Sequence, residues 1–334
     1  EKNVPISEDN QYHYNKTYSK QNNIAPLTSA NADFKPNDSC SVDRPNELIY
    51  SLERGIGDKV DHWLTYRAFN RTIFDMRNGY LIAVNGVDND KVLCRFQNNI
   101  SLFNAYATMN TSVDTVQIGT GDMFKAKPQQ FSKTDLGYIG TQHMALLHTD
   151  YGSIWCDTKN GHFWVLRPGN GGVSELGTDE NRHYMHAWFK SNMPFQVLQD
   201  FSNMTEADID NNFKGIGIAM CFDKIYDRLL FTKKDYRKIN KDVLWDADRK
   251  CFYIETKPTR TIVNVEDPRY FCNKSWTISY NFKRNFWIGY HAYCPNFYIP
   301  FSRHFQAGLN SYETEITNSS LWDFNLTNKS YQVF

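Results

Sequence analysis

The residues best suited to hold a metal ion are His183 and His186, because on a helix that spacing brings two imidazoles to one face. No third ligand sits at a telling distance along the chain, so the pair reads as two histidines on a partly exposed helix. His143, His148 and His162 approach Cys156 and Asp157 in sequence, the residue types of a thiol nucleophile and its base. Cys156 falls in an apolar strand, however, where a thiol stays protonated and packs as a small hydrophobe. Glu47 with Glu53, and Asp208 with Asp210, offer paired carboxylates of the kind used in glycoside hydrolysis, which is informative only if a cleft fixes their separation. Tyr290, Tyr293, Phe297 and Tyr298 could stack on sugars, but core or interface packing is the preferred reading. Gly119-Thr120-Gly121-Asp122 and Gly215-Ile216-Gly217 are too short for nucleotide loops and read as turns or sites of close backbone approach. The chain is therefore expected not to be an enzyme: no catalytic, cofactor-binding or metal-binding residues are assigned, and no cofactor.

The elements that would position such groups are mostly strands. Of the 334 residues 15% are aromatic, set among Asn, Asp, Lys and Ser, a texture of short strands joined by polar turns. Lys plus Arg and Asp plus Glu both total 37, so summed charge supplies no long-range pull toward nucleic acid or an anionic membrane. The local basic cluster Lys233, Lys234, Arg237, Lys238 and Lys241 is interleaved with Asp235 and Asp242 and reads as a solvated connection, not a phosphate track. Seven cysteines occur singly, at 40, 94, 156, 221, 251, 272 and 294, which argues for reduced thiols over a disulfide framework or a zinc ribbon. Asn-x-Ser/Thr triplets at Asn70, Asn110, Asn273 and Asn318 could accept glycans in a secreted protein; in so Asn-rich a chain they read as composition.

One short pattern recurs six times: an apolar or aromatic residue, then Asp or Asn, three to five polar turn residues, then an alternating run with aromatics. The copies begin at Phe74-Asp75, Cys156-Asp157, Phe222-Asp223, Trp245-Asp246, Tyr280-Asn281 and Trp322-Asp323. Each predicts a hairpin, with Asn78-Gly79 and Asn160-Gly161 supplying the positive φ of two-residue turns. A lone hairpin is marginal in water, so the units must join into sheets. The expected fold is mainly β: a β-propeller-like array of antiparallel hairpins over 46–334, with a sandwich bearing long insertions as the alternative. Short helical insertions are predicted at Arg182 to Lys190 and near Thr205-Glu206-Ala207-Asp208. Residues 1–45, with Pro5, Pro26 and Pro36, lack periodicity and predict an extended arm or linker. The start, Glu1-Lys2-Asn3-Val4-Pro5, is neither an initiator Met nor a signal peptide, and Tyr331-Gln332-Val333-Phe334 ends inside a strand-like run, so a longer polypeptide is expected.

Three stretches carry a family resemblance: Gly137-Tyr138-Ile139-Gly140-Thr141-Gln142-His143, Asp210-Asn211-Asn212-Phe213-Lys214-Gly215-Ile216-Gly217, and Trp276 to Asn281 running on to Trp287-Ile288-Gly289-Tyr290-His291. Across about residues 60 to 300 the chain resembles the muzzle, or tail nozzle, proteins of crAss-like bacteriophages. The resemblance implies a virion structural protein at the distal end of the tail tube. It implies a sixfold ring of copies, docking to the tail hub and other tail proteins, and gating of DNA or cargo ejection, with DNA present only in transit and no membrane insertion. The alternative is a carbohydrate-binding or capsule-degrading tail-associated β-propeller whose partner is a host surface glycan.

Overall fold

The fold follows from where the apolar runs can find cover. The computed structural model describes residues 44–53, 62, 66–87, 91–110, 115–119, 123–130, 140–143, 145–167, 172–176, 182–210, 215–256, 259–301, 304–309, 320–324 and 331–333. The arm expected over 1–45 lies outside them except for its last two residues, as do Cys40, Asn318 and most of the turn after Asp323. Chain contacts divide the protein into two units, one from the residues up to Arg95 together with Ile100–Gln130, the other from Phe96–Asn99 and Phe131–Phe334.

In the first unit β1 (Glu47–Ser51) pairs antiparallel with β2 (Tyr66–Ile73) as a two-stranded ribbon. A 3-10 turn, Met76–Asn78, follows; Asp75 caps it by accepting from the Arg77 amide at 3.0 Å, and Gly79 leaves it at φ 76°. Then come β3 (Leu81–Val87), β4 (Lys91–Phe96), β5 (Ile100–Asn104), the paired β6 (Tyr106–Asn110) and β7 (Thr115–Gly119), and β8 (Gln129–Gln130). Strands β3, β4, β5 and β8 form one sheet in that order. Its core is small: Leu93, Cys94, Ile100, Leu102 and Phe103 are buried, with Phe103 edge-on to Phe74 and Phe124.

The second unit begins with β9 (Leu146–Thr149), β10 (Gly152–Asp157), β11 (His162–Leu166) and β12 (Val173–Glu175), a meander in the order β12-β11-β10-β9. Helices α1 (Arg182–Asn192) and α2 (Gln196–Asp200) follow. Next are β13 (Gly217–Asp223), β14 (Arg228–Lys234), β15 (Tyr236–Lys238), β16 (Val243–Asp246), β17 (Cys251–Thr256), β18 (Thr259–Val263), β19 (Phe271–Asn273), β20 (Trp276–Asn281) and β21 (Phe286–His291). The described chain closes with β22 (Phe297–Pro300), β23 (Phe305–Leu309), β24 (Ser320–Phe324) and β25 (Tyr331–Val333).

The sheet β13-β14-β20-β21 is central because both its faces are covered. Antiparallel register puts Met220, Phe231 and Ile278 on one face, where they join Ile154, Cys156, Phe163, Val165 and Phe189 in the main core. Cys221 and Leu230 point the other way and meet Phe305, Ala307 and Tyr298 of the β22-β23-β24-β25 sheet. Burial on two faces explains why these strands read as continuous apolar runs without a clean alternation. The mainly antiparallel β class expected from the sequence is observed. No closed barrel or ring of blades is seen among the described residues; the β13-β14-β20-β21 and β22-β23-β24-β25 sheets pack face to face.

The recurrent pattern makes hairpins at four of its copies among the described residues. Asp157 pairs with His162, Asp223 with Arg228, Asp246 with Cys251 and Asn281 with Phe286, so each loop holds four residues, within the expected three to five, and the two-residue turn predicted at Asn160-Gly161 is a four-residue one. In all four the entering carboxylate or amide oxygen accepts amides two or three residues on. The last loop residue is left-handed in each: Gly161 (φ 77°), Asp227 (φ 54°), Lys250 (φ 53°) and Asn285 (φ 58°). The physical reason is that a loop of this length is built on a right-handed turn and needs one left-handed residue to return to the ladder. The copy at Asp75 is a 3-10 connection, not a hairpin.

The six cysteines among the described residues are free thiols. No helix among the described residues is long and apolar enough to cross a membrane.

Candidate functional site

The group with the greatest chemical potential is assembled from β11, β12 and α1. Asp157, buried at the mouth of the β10–β11 loop, accepts the amides of Lys159 (2.8 Å) and Asn160 (3.0 Å) and the Asn160 side chain (2.7 Å). Burial raises its pKa against the pull of those donors. The loop ends on Gly161, where a Cβ would stand 2.6 Å from the carbonyl carbon of Phe189, so α1 lies directly on the turn. That contact brings His186 beside His162, their ring centroids 4.8 Å apart. Glu175 stands opposite Trp164 on β12, on the same face as His162.

The His162 Nδ1 donates to Glu175 Oε1 at 2.8 Å, and the His186 Nδ1 lies 3.9 Å from the same oxygen. All three residues are half-buried. Beside them is a recess whose wall includes Met185, Phe189 and Trp287. Of the pair His183 and His186, His186 belongs to this cluster; the side chain of His183, in the first turn of α1, is outside the described part. In the sequence His162 stands out only as a neighbour of Cys156, and Glu175 is missed; the β11–β12 ladder sets these two side by side, and the docking of α1 on Gly161 brings His186 to them.

The other candidates do not converge. Both the backbone amide and Nδ1 of His143 bond Asp210 Oδ2, whereas Cys156 is buried in the main core and His148 bonds Ser153 on the neighbouring strand at 3.0 Å. No Cys-His pair is formed among these residues. Glu47 is engaged by Arg44 and Arg71, and Glu53 is exposed. Asp208 accepts from Thr205 and pairs with Lys250 at 2.7 Å. Burial would raise the Asp208 carboxyl, but Lys250 and Thr205 outweigh it and hold the group below the ordinary range. Each carboxylate of the two pairs thus has its own structural role or its own exposure.

The basic cluster departs most from its sequence reading. Lys233 and Lys234 are buried on β14, not solvated. Lys233 Nζ donates to Asp235 Oδ2 (2.6 Å) and to the carbonyls of Asn192 (2.9 Å) and Pro194 (3.0 Å), and sits over the Phe195 ring. Asp235 in turn accepts the amides of Gln196 (2.8 Å), Val197 (3.3 Å) and Tyr236 (2.9 Å), so it caps α2 from the link between β14 and β15. Burial lowers the Lys233 pKa, and Asp235 opposes that shift. Lys234 Nζ reaches Asn296 Oδ1 at 2.9 Å. Lys233 ties the helices to the central sheet because the chain end of α1 supplies acceptors that local sequence does not reveal, and the acceptors of Lys234, Asn296 and Glu266, are also distant in the chain.

The aromatic run after β21 is largely spent on packing. Tyr298 bonds Thr232 Oγ1 at 2.6 Å between the two stacked sheets, and burial pushes its phenol well above the usual range. Phe297 lies across Gly308, where a Cβ would stand only 2.0 Å from the ring. Tyr290 is exposed and packs edge-on against Trp188. Asn70 is buried, which closes the first glycan triplet in the folded protein.

Among curated proteins, none matches this chain. A family model described as Crassvirus muzzle protein matches residues 1–308, which spans both units and contains every stretch that carries the resemblance. The chain belongs to the Crassvirus muzzle protein family.

Proposed function

We infer that this chain builds the distal end of a crAss-like phage tail, where copies of it form a ring that docks to the tail hub and controls the exit of DNA or cargo. Membership of the family carries a structural, tail-associated role in the phage. The observation that supports the finer reading is the outer face of the β1–β2 ribbon, where Phe69 is 70% exposed, Ile73 63% and Ile49 53%. Register places these residues together: Ile49 faces Arg71, and Ile73 faces Glu47. Arg67 stacks on Phe69 at 5.8 Å. A two-stranded ribbon with an apolar outer face has little stability of its own and is suited to bury that face against a neighbouring subunit. The second unit, with a sheet covered on both faces, supplies the rigid wall. Balanced charge suits a lumen past which DNA slides without strong attachment. No catalysis is proposed.

Negative-stain images of the purified chain are expected to show rings, and immunogold on virions should mark the far end of the tail. A strictly monomeric particle together with no label at the tail tip overturns the reading.

A further inference from the structure

We propose that His162, Glu175 and His186 form a binding site for a divalent transition-metal ion, zinc by preference. Two imidazoles and one carboxylate are a donor set for zinc and its neighbours in the first row, not for magnesium or calcium, which take oxygen ligands. The geometry is close to what such an ion requires. In a tetrahedral site with metal–ligand bonds of about 2.0–2.1 Å, ligand atoms stand about 3.3 Å apart. Here the Nδ1 atoms lie 2.8 and 3.9 Å from Glu175 Oε1, on either side of that value, and the candidate ligand atoms of all three residues fall within 4.8 Å of one another.

The scaffold also favours a preformed site. His162 and Glu175 are held by the β11–β12 ladder, and His186 by the seating of α1 on Gly161 and by Phe189 against Phe163. Side chains on strands and a docked helix lose little freedom when they close on an ion. Their side-chain exposures, 27%, 23% and 40%, leave the ion a path from solvent while excluding much of the competing water. Three protein ligands leave a fourth position for water or for a group from outside the chain. An ion there pins α1 to the β11–β12 hairpin, which makes its role structural and separate from ring formation through the β1–β2 ribbon.

The unoccupied alternative is a carboxylate clasp in which Glu175 accepts from the imidazoles and no ion binds. The full chain, stripped with EDTA and dialysed, separates the two by calorimetric titration with zinc chloride and by absorbance with cobalt(II) chloride. Expected are one zinc per chain with a Kd in the micromolar range or tighter and a tetrahedral cobalt spectrum without thiolate charge-transfer bands. His186→Ala and Glu175→Gln should each weaken binding roughly tenfold or more, while His143→Ala, which removes a histidine elsewhere, should change nothing. Zinc at about a hundredfold over its Kd should raise the melting temperature by about 5 °C in the unaltered chain and not in His186→Ala. Melting in EDTA verifies that the variants fold, and the cobalt spectrum of the unaltered chain stands without any variant. Absence of zinc binding below about 100 μM, or binding equal in the unaltered chain and the His162→Ala, His186→Ala double variant, overturns the site.

Discussion

Strands β2 and β14 are made of similar residues and meet opposite fates. β14, Arg-Leu-Leu-Phe-Thr-Lys-Lys, is buried from its second residue to its last, both lysines included. β2, Tyr-Arg-Ala-Phe-Asn-Arg-Thr-Ile, turns Phe69 and Ile73 to solvent while Asn70 is buried. Hydropathy cannot account for the difference; cover can. β14 lies in a sheet with the chain's own apolar layers on both faces and with carbonyls of the α1–α2 segment poised to receive Lys233. The outer face of β2 has no such cover among the described residues of this chain. Side-chain placement along β14 is thus settled within the chain, whereas Phe69 and Ile73 of β2 stay exposed among the described residues.

The comparison can be attacked first at Lys233. Lys233→Ala leaves Asp235 buried with its cation removed, and urea denaturation followed by tryptophan fluorescence should show a loss of roughly 3–5 kcal/mol. A loss under about 1 kcal/mol would mean that β14 does not depend on its internal partners. Gly161→Ala comes next: the added Cβ meets the Phe189 backbone and the residue must keep φ 77°. A loss of about 2–4 kcal/mol is expected by the same measurement.

Smaller effects sharpen the picture at the turns. Asp157→Ala removes the acceptor of two loop amides and should cost about 1–2 kcal/mol. Asp157→Asn should stay within about 0.5 kcal/mol, because Asn281 fills the equivalent place in another loop and burial already disfavours the Asp157 charge. For Asp208 the folded carboxyl titrates below its unfolded value near 3.9, so its contribution is present above that pH and fades as pH falls through the folded value. Lys250 is half exposed, so the advantage over Asp208→Asn should be only a few tenths to about 1 kcal/mol at pH 7, vanishing in melts at acid pH. The smallest change in stability, within about 0.5 kcal/mol, is expected for Phe69→Ser with Ile73→Ser, yet that double variant should no longer assemble in sedimentation velocity. Intact assembly would remove the contrast between the two strands.

The local chemistry of the fold was legible in the sequence, and the long-range chemistry was not. Asp157, Asp223, Asp246 and Asn281 announce their hairpins because each acts on amides two or three residues away. Helix α1 showed itself through Tyr184, Met185, Trp188 and Phe189 at helical spacing. The propeller-like expectation rested on repetition, which fixes the units but not their neighbours; that β14 pairs with β20 depends on contacts across a long stretch of chain. Lys233 looked solvated because its acceptors come from the α1–α2 connection. His186 and His162 both stood out, but for different chemistry, and no spacing rule links them to each other or to Glu175.

The edge of the central sheet has a consequence of its own. Opposite the step from Ser279 to Tyr280 of β20 the register slips, leaving Ile288 of β21 as an extra residue in the ladder and half exposed. Such a bulge spoils the row of amides and carbonyls that a foreign strand would need in order to dock. This border is therefore a poor template for strand pairing between copies of the chain.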